Sequence, residues 1–343
     1  MHLLAPANPK ELIDRLQWFK TPEALKLAKE KKVEFGVEVK GPLENITEQP
    51  LDYARGKPMY WGLHLPDLLA TEWYYHPEQR ALMMKELERV AALKPDYAVL
   101  HGIHLLWKPP IKESVHRFVD SSPAEEYFKI LEANIVLIDQ LKKLFNLKLE
   151  NFPLYFYYMK GEEYLPYTSL STGIGRLDDL LYLKKKTGVE IMFDIEHMII
   201  ALNFLNRKRN YRHLPIKKIE KLTPDEQKLK EIFGFYLKKG YIPYLDREVT
   251  LEEMIKKIDS RYYHVTGSLQ DVITGKKVTS HAPIEIKDQI FRKNIRSVLA
   301  QKPEVMLMEV SNSKIGGKTW AHLRPNETEI SFRNLCQILL EEL

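Results

Sequence analysis

The 343-residue chain has a single cysteine, Cys336. It can therefore close no internal disulfide and build no thiolate-rich metal site, which excludes zinc ribbons and cysteine-ligated iron–sulfur clusters. No stretch approaches the ~20 uninterrupted apolar residues that a membrane span needs. Met1 to Lys10 lack the basic-then-apolar order of a secretory signal. No membrane partner is expected, and with the lone cysteine these absences point to a cytoplasmic protein. No internal repeat, low-complexity tract or Gly/Ser-rich linker breaks the chain, so a single domain over residues 1–343 is expected. An excess of one charge is also lacking: Lys and Arg number 52 against 47 Asp and Glu, a formal net charge of +5. That balance permits a polyanionic partner without demanding one.

What is present is a recurrence of short apolar runs, each followed by a loop and then by a segment of helical periodicity, the mark of repeated β/α units. Strands are expected at Val33 to Val39, Met59 to Leu65, Tyr97 to His101, Leu147 to Glu150, Val189 to Asp194, Arg261 to Val265 and Val305 to Glu309. Helices are expected at Pro9 to Phe19, Pro22 to Lys31, Glu78 to Leu93, Pro123 to Phe145, Arg176 to Lys186, Pro224 to Lys239, Lys287 to Ala300 and Glu327 to Leu343. Near-continuous apolar strands such as Ile191-Met192-Phe193 suit a parallel sheet covered on both faces. Seven such strands fit a TIM (β/α) barrel, with Met1 to Ala5 as the eighth strand or else an incomplete, irregular first unit. Residues 202–222 form the longest irregular stretch and are expected to be a basic insertion or lid. Within it, Arg207, Arg209 and Arg212 are candidates for phosphate contacts and Tyr211 for stacking on a base; the bland alternative is a solvated loop.

Metal-ligand residue types fall at one structural position. His64, His101, Glu150, Asp194, His264 and Glu309 each sit at or beside the C-terminal end of an expected strand. In a parallel barrel those ends converge on one mouth. His197 follows Asp194 by three residues, and His281 lies in the loop after the sixth expected strand; both are expected to reach the same mouth. Three carboxylates packed together repel one another, and an unpaired buried ion costs several kcal/mol. Cations must therefore be there, and because no expected strand ends in Lys or Arg at the equivalent position, metal is the favoured source. Three carboxylates and a bridging hydroxide are balanced by two divalent ions. Imidazole and carboxylate ligands suit zinc first, with manganese or iron as alternatives. Such a pair acidifies water and neutralises charge on a phosphate; a single ion on Glu150, Asp194, His264 and Glu309 is the simpler alternative.

These residues, quoted as Gly-Leu-His64-Leu-Pro-Asp-Leu, Val-Leu-His101-Gly, Leu-Glu150-Asn151, Phe-Asp194-Ile-Glu-His197, Tyr-His264-Val, Ser-His281-Ala-Pro and Leu-Met-Glu309-Val, resemble the xylose-isomerase-like TIM-barrel superfamily. Within it they are similar to the endonuclease IV pattern of AP endonuclease family 2. The resemblance implies a zinc-dependent phosphodiester hydrolase, with Glu150 and Glu309 as catalytic carboxylates and DNA or another phosphodiester as substrate. It places His64, His101 and Glu150 on a first metal and Glu150, Asp194, His264 and Glu309 on a second. His197 and His281 would belong to a third. Thr279 stands where the family has an Asp two residues before the last His, and Asp67 where it has an aromatic residue that enters DNA. Two related groups share much of the pattern. Sugar isomerases and epimerases use the Glu, Asp, His, Glu set around one metal with a small sugar as substrate, His64 and His101 then being substrate contacts. The multinuclear non-haem iron oxidases that modify peptides are similar in the residues after the strand Asp and in the insertion that follows.

Four further features have two readings each. His104 is a ligand, or a packed or capping residue. Glu38 is another carboxylate in the mouth, or a surface partner for Lys40. Trp61, Trp107 and Tyr155 to Tyr158 wall the pocket or belong to the core. Gly316-Gly317-Lys318-Thr319 lacks the spacing of a phosphate loop and reads as a turn.

Overall fold

A computed structural model describes residues 1–52, 57–106, 123–152, 155–160, 163–171, 177–199, 250–267, 282–310, 314–315, 318–319 and 326–343. Eight parallel strands close into a barrel in which each lies between its neighbours in sequence: β1 (His2–Ala7), β2 (Glu34–Lys40), β3 (Tyr60–His64), β4 (Tyr97–His101), β5 (Leu147–Glu150), β6 (Glu190–Asp194), β7 (Tyr262–Val265) and β8 (Val305–Met308). Closure is made by β1, where His2 aligns with Val305 on one side and Glu34 on the other. The first unit is therefore complete, and the irregular alternative is corrected. Only Leu3, Leu4 and Ala5 are consecutively buried there, too short an apolar run to identify a strand by itself.

Helices α1 (Leu12–Trp18) and α2 (Pro22–Lys31) both connect β1 to β2, followed around the ring by α3 (Leu69–Tyr75), α4 (Arg80–Ala91), α5 (Pro123–Leu141), α6 (Leu177–Thr187), α7 (Leu251–Ile258), α8 (Gln289–Leu299) and α9 (Glu327–Glu342). Most match the expected segments to within a few residues. Helix α3 is an addition to those segments. So is α7, which opens where the Thr250 hydroxyl accepts the N–H of Glu253. The expected helix Pro224 to Lys239, the basic segment 202–222 and Trp107 lie outside the described residues. After β4 and β5 the chain forms a three-stranded antiparallel sheet from His104–Leu106, Glu163–Ser171 and Tyr155–Lys160. The tyrosine run thus belongs to this side sheet and not to a barrel strand. Lys314–Ile315 pairs antiparallel with Lys318–Thr319.

Alternation along the strands divides the core in two. Leu3, Ala5, Ala98, Leu100, Ile191, Phe193, Met306 and Met308 pack outward in the cluster that includes the helices. Their neighbours Leu4, Tyr97, Val99, Met192, Tyr262, Val305 and Leu307 form a separate cluster inside the barrel. Trp61 is fully buried in the outer cluster. The period of two that produces this division also decides what the next inward position on each strand presents at the mouth.

Two glycines make room inside. A Cβ on Gly36 would lie 2.2 Å from the Tyr60 carbonyl oxygen and 2.7 Å from a Leu4 methyl, and one on Gly62 would lie 2.2 Å from the Tyr97 ring. At Gly36 the obstacle is strand backbone, which cannot rotate away. Gly36→Ala is therefore expected to destabilise the fold by about 1–3 kcal/mol, the usual range for an overpacked core. The measurement is the urea midpoint at unchanged m-value; an unmoved midpoint would mean that β2 and β3 tolerate the added methyl.

Candidate metal centre

Each interior strand position two residues before the mouth is followed by a ligand type. Gly62 leads to His64, Val99 to His101, Lys148 to Glu150, Met192 to Asp194, Tyr262 to His264 and Leu307 to Glu309. All six ligand-type side chains are buried, and Glu150, Asp194 and His264 are wholly so. Their donor atoms fall into two groups, His64, His101 and Glu150, and Glu150, Asp194, His264 and Glu309; within each, the atoms lie within 4.8 Å of one another.

Glu150 belongs to both. Its Oε2 lies 2.8 Å from His101 Nε2 and 3.2 Å from His64 Nε2, while its Oε1 lies 3.0 Å from His264 Nδ1. The same His264 Nδ1 is 3.2 Å from Glu309 Oε2 and 3.8 Å from Asp194 Oδ2. Asn151 links β5 to β6: its amide Nδ2 donates to the Asp194 carbonyl, and its Oδ1 accepts the Asp194 N–H. Asp194 Oδ1 in turn accepts the backbone N–H of His197 at 2.6 Å.

The imidazoles are held by their outer nitrogens. His64 Nδ1–H donates to the Leu65 carbonyl at 2.9 Å, and His264 Nε2–H donates to Glu38 Oε2 at 3.3 Å. In the neutral ring each remaining nitrogen is then a lone pair aimed at carboxylate oxygens, an arrangement that needs a positive charge between them. A single proton on His264 Nδ1 cannot satisfy three carboxylates at once, whereas a divalent ion can. Among the described residues, the buried Asp194 Oδ2 meets no donor from the chain other than the Glu309 carboxyl beside it. The residues present therefore fit a divalent metal, and a donor set of imidazole and carboxylate without thiolate suits zinc, manganese or iron.

The electrostatics agree. Burial alone would raise the Glu150 carboxyl, but the imidazoles of His264 and His101 hold it well below the usual range. Burial, the adjacent Glu309 and Glu150 push Asp194 well above its ordinary value. Burial opposes charging of His264, yet Glu150, Glu38 and Glu309 raise it well above an ordinary imidazole. Metal-free, the cluster draws protons onto His264 and Asp194, and the same field draws a cation.

Glu38 is buried one inward step beneath the mouth, level with Gly62, and is not a surface partner for Lys40. A cation from the chain does reach the mouth: Lys40 ends β2, and its ammonium pairs with Asp67 at 3.0 Å. The expectation that no strand ends in a basic residue fails there, because β2 runs one residue beyond Val39. The phase of Gly36, Glu38 and Lys40 is the signal in the sequence. Asp67 also lies 3.5 Å from His101 Nδ1. His197 is buried beside the cluster but joins neither donor group among the described residues. Its Nδ1–H is committed to the Asn151 carbonyl at 2.9 Å, and burial lowers its pKa to about 4. His281, Thr279, Arg207, Arg209, Tyr211 and Arg212 lie outside the described residues.

No protein-family model and no curated protein matches the chain. Among solved structures, it is similar to the TTHB071 protein of Thermus thermophilus, soaked with zinc chloride, at 16% identity and TM-score 0.42 over 100% of this chain and 99% of that one. It is similar to the 3-keto-D-glucoside 4-epimerase YcjR of E. coli at 10% identity and TM-score 0.48 over 98% and 100%. A xylose isomerase-like TIM barrel protein of Mycobacterium smegmatis in complex with magnesium gives 13% identity and TM-score 0.44 over 99% and 97%. Among the described residues, no helix is long and apolar enough to cross a membrane.

His104 is packed rather than placed among the donor groups. It is 1% exposed and its ring lies against Phe152, with centroids 5.2 Å apart. Burial, assisted by His101, depresses its pKa from 6.5 to about 3. Unfolded, it takes a proton near pH 6.5, but folded only near pH 3. The unfolded chain therefore binds more protons between those values, and stability is lost as pH falls through that window. Urea unfolding at about pH 7 and about pH 4 should show the parent losing more stability than His104→Gln. Equal losses would mean that the buried imidazole titrates normally.

Proposed function

We propose that the chain is a metal-dependent hydrolase of phosphodiesters, with two divalent ions, zinc first, at the barrel mouth. His64, His101 and Glu150 would hold one ion, and Glu150, Asp194, His264 and Glu309 the other. The observation that carries this reading is the division of the Glu150 oxygens, Oε2 towards His64 and His101 and Oε1 towards His264. A bound pair of ions supplies Lewis acidity that lowers the pKa of water and offsets charge on a phosphate.

The chain's own residues do the remaining work. Glu309 is the most exposed of the six ligand-type side chains, so of the carboxyls in the cluster it is the one placed to exchange a proton with a substrate at the mouth. Lys40, held by Asp67, brings an ammonium to the mouth where an anionic substrate would enter. The buried walls exclude bulk water from the cluster, which strengthens every charge interaction within it. Contact of Arg207, Arg209, Tyr211 and Arg212 with a nucleic acid strand belongs to the same proposal.

A second reading, a sugar isomerase or epimerase with one metal, is favoured by one observation: Glu150, Asp194, His264 and Glu309 form a complete ligand group without His64 or His101. Glu150 and Glu309 would then move the proton, and the two histidines would contact the sugar.

Metal content separates the readings. Protein purified without chelator is expected to carry about two ions per chain, and His64→Ala/His101→Ala to lose about one. Glu150→Ala should lower cleavage of bis(p-nitrophenyl) phosphate by at least about 100-fold, more than a change in an outer hydrogen bond to a ligand produces. A single ion unaffected by the double variant, with deuterium entering a sugar C–H from heavy water, would replace the hydrolase with the isomerase. Iron together with dioxygen uptake would replace both with an oxidase.

A further inference from the structure

Beneath the mouth lies a buried polar relay that the chemistry proposed above does not use. The Tyr97 hydroxyl donates to Glu38 Oε2 at 2.6 Å, and His264 Nε2–H donates to the same oxygen at 3.3 Å. Tyr97 and His264 are fully buried and Glu38 is 2% exposed. The three come from β4, β2 and β7, so the relay crosses the barrel interior rather than following one strand.

The relay is built into the packing. Tyr97 reaches Glu38 across β3, and at that crossing β3 has Gly62; any Cβ there would lie 2.2 Å from the ring and 2.5 Å from its hydroxyl oxygen. Tyr97 packs in an interior cluster of apolar and aromatic side chains, Leu4, Val99, Met192, Tyr262, Val305 and Leu307, with the Lys148 ammonium over the Tyr262 ring. In such surroundings a carboxylate is costly unless donors satisfy it. Here Tyr97 and His264 supply them on one oxygen. A Leu at position 38 would fit this layer more cheaply, so the carboxylate is accounted for by what it does to His264.

We propose that Glu38 is a positioning residue for the metal: held by Tyr97 in the slot opened by Gly62, it fixes His264 as the Nε2–H tautomer and turns Nδ1 towards Glu150, Asp194 and Glu309. The proposal rests on the reading of that group as a metal site, but not on phosphodiester cleavage. A carboxylate accepting the outer N–H of a ligating histidine orients the ring and makes its other nitrogen a stronger donor, and removing such a partner weakens metal binding by about 10–100-fold. Among the described residues, Glu38 is hydrogen-bonded to His264 and Tyr97 and to neither His64 nor His101, so its hold on ring orientation falls on His264.

The test uses the full-length chain and cobalt(II), whose visible spectrum reports coordination, with affinity read by competition against a chromophoric chelator. Glu38→Gln should weaken one of the two bound ions by about 10–100-fold and alter its cobalt spectrum, leaving the other ion unchanged. Tyr97→Phe keeps the ring in the Gly62 slot and should cause a smaller loss at the same ion. In a His264→Ala background, Glu38→Gln should have no further effect. An equal loss at both ions, the same loss with and without His264, or no loss at all would overturn the proposal, the first two marking a general structural role. A loss as complete as that of His264→Ala would also overturn it, by making Glu38 a ligand. A parent chain that binds no cobalt would overturn the metal reading itself, an outcome distinct from a Glu38 variant that binds like the parent.

Discussion

Glu150 is wholly buried, and a carboxylate in that position costs several kcal/mol unless opposite charge or strong donors reach it. Everything around the barrel mouth is arranged by that requirement. Its oxygens are met by His64, His101 and His264 from three other strands. His64 and His264 are held in turn from behind, by the Leu65 carbonyl and by Glu38. Asp194 and Glu309 add negative charge that the imidazoles alone do not offset, as the raised Asp194 carboxyl records. The site is thus underneutralised, with Lys40 at its edge already engaged by Asp67. That electrostatic shortfall is the physical ground for expecting divalent cations.

The barrel makes this concentration of charge possible without unfolding. Eight parallel strands hydrogen-bond their backbone groups to one another around the ring, so the mouth needs to satisfy side chains only. Apolar inward residues fill the layer below, and the separate outer cluster anchors strands to helices. Asn151 supplies the finest adjustment, bonding both backbone groups of Asp194 and receiving His197 on its own carbonyl. The carboxylates are therefore held by the sheet rather than by one another, and mutual repulsion cannot simply push them apart.

The convergence of His64, His101, Glu150, Asp194, His264 and Glu309 is legible in the sequence because strand periodicity and parallel order leave little freedom about where strand ends go. The same periodicity carries more than the apolar runs alone reveal. Glu38 and Lys40 share the phase of Gly36, so one faces the interior and the other the mouth, but the apolar run that marks β2 stops at Val39, one residue short. β1 is harder to read, since three small or aliphatic buried residues do not distinguish a closing strand from an arm packed on the surface. His197 has the right spacing from Asp194 to be a ligand. Its Nδ1–H bond to the Asn151 carbonyl, which leaves the ring lone pair on Nε2 as in His64, has no sequence signal. In the side sheet, Tyr155–Lys160 and Glu163–Ser171 are antiparallel neighbours only two residues apart in sequence, but the pairing of Glu163–Ser171 with His104–Leu106 joins distant segments, which no local pattern specifies.

Charge at the two ends of the interior is handled in opposite ways. At the end where the strands begin, Lys148 pairs with Glu190 and lies 3.9 Å above the Tyr262 ring, while the Tyr262 hydroxyl and Arg261 both reach Glu304. His2 stacks on Tyr60 with ring centroids 3.8 Å apart. Glu190 and Glu304 are thus met by cations and a hydroxyl from the chain itself. Two residues along β5 from Lys148, Glu150 is given imidazoles instead of an ammonium or a guanidinium. Lysine and arginine would neutralise the mouth permanently and occupy it. Imidazoles supply donors that give way to a metal by losing a proton, so the end of the barrel whose charges are left open is the one able to bind something that is not part of the chain.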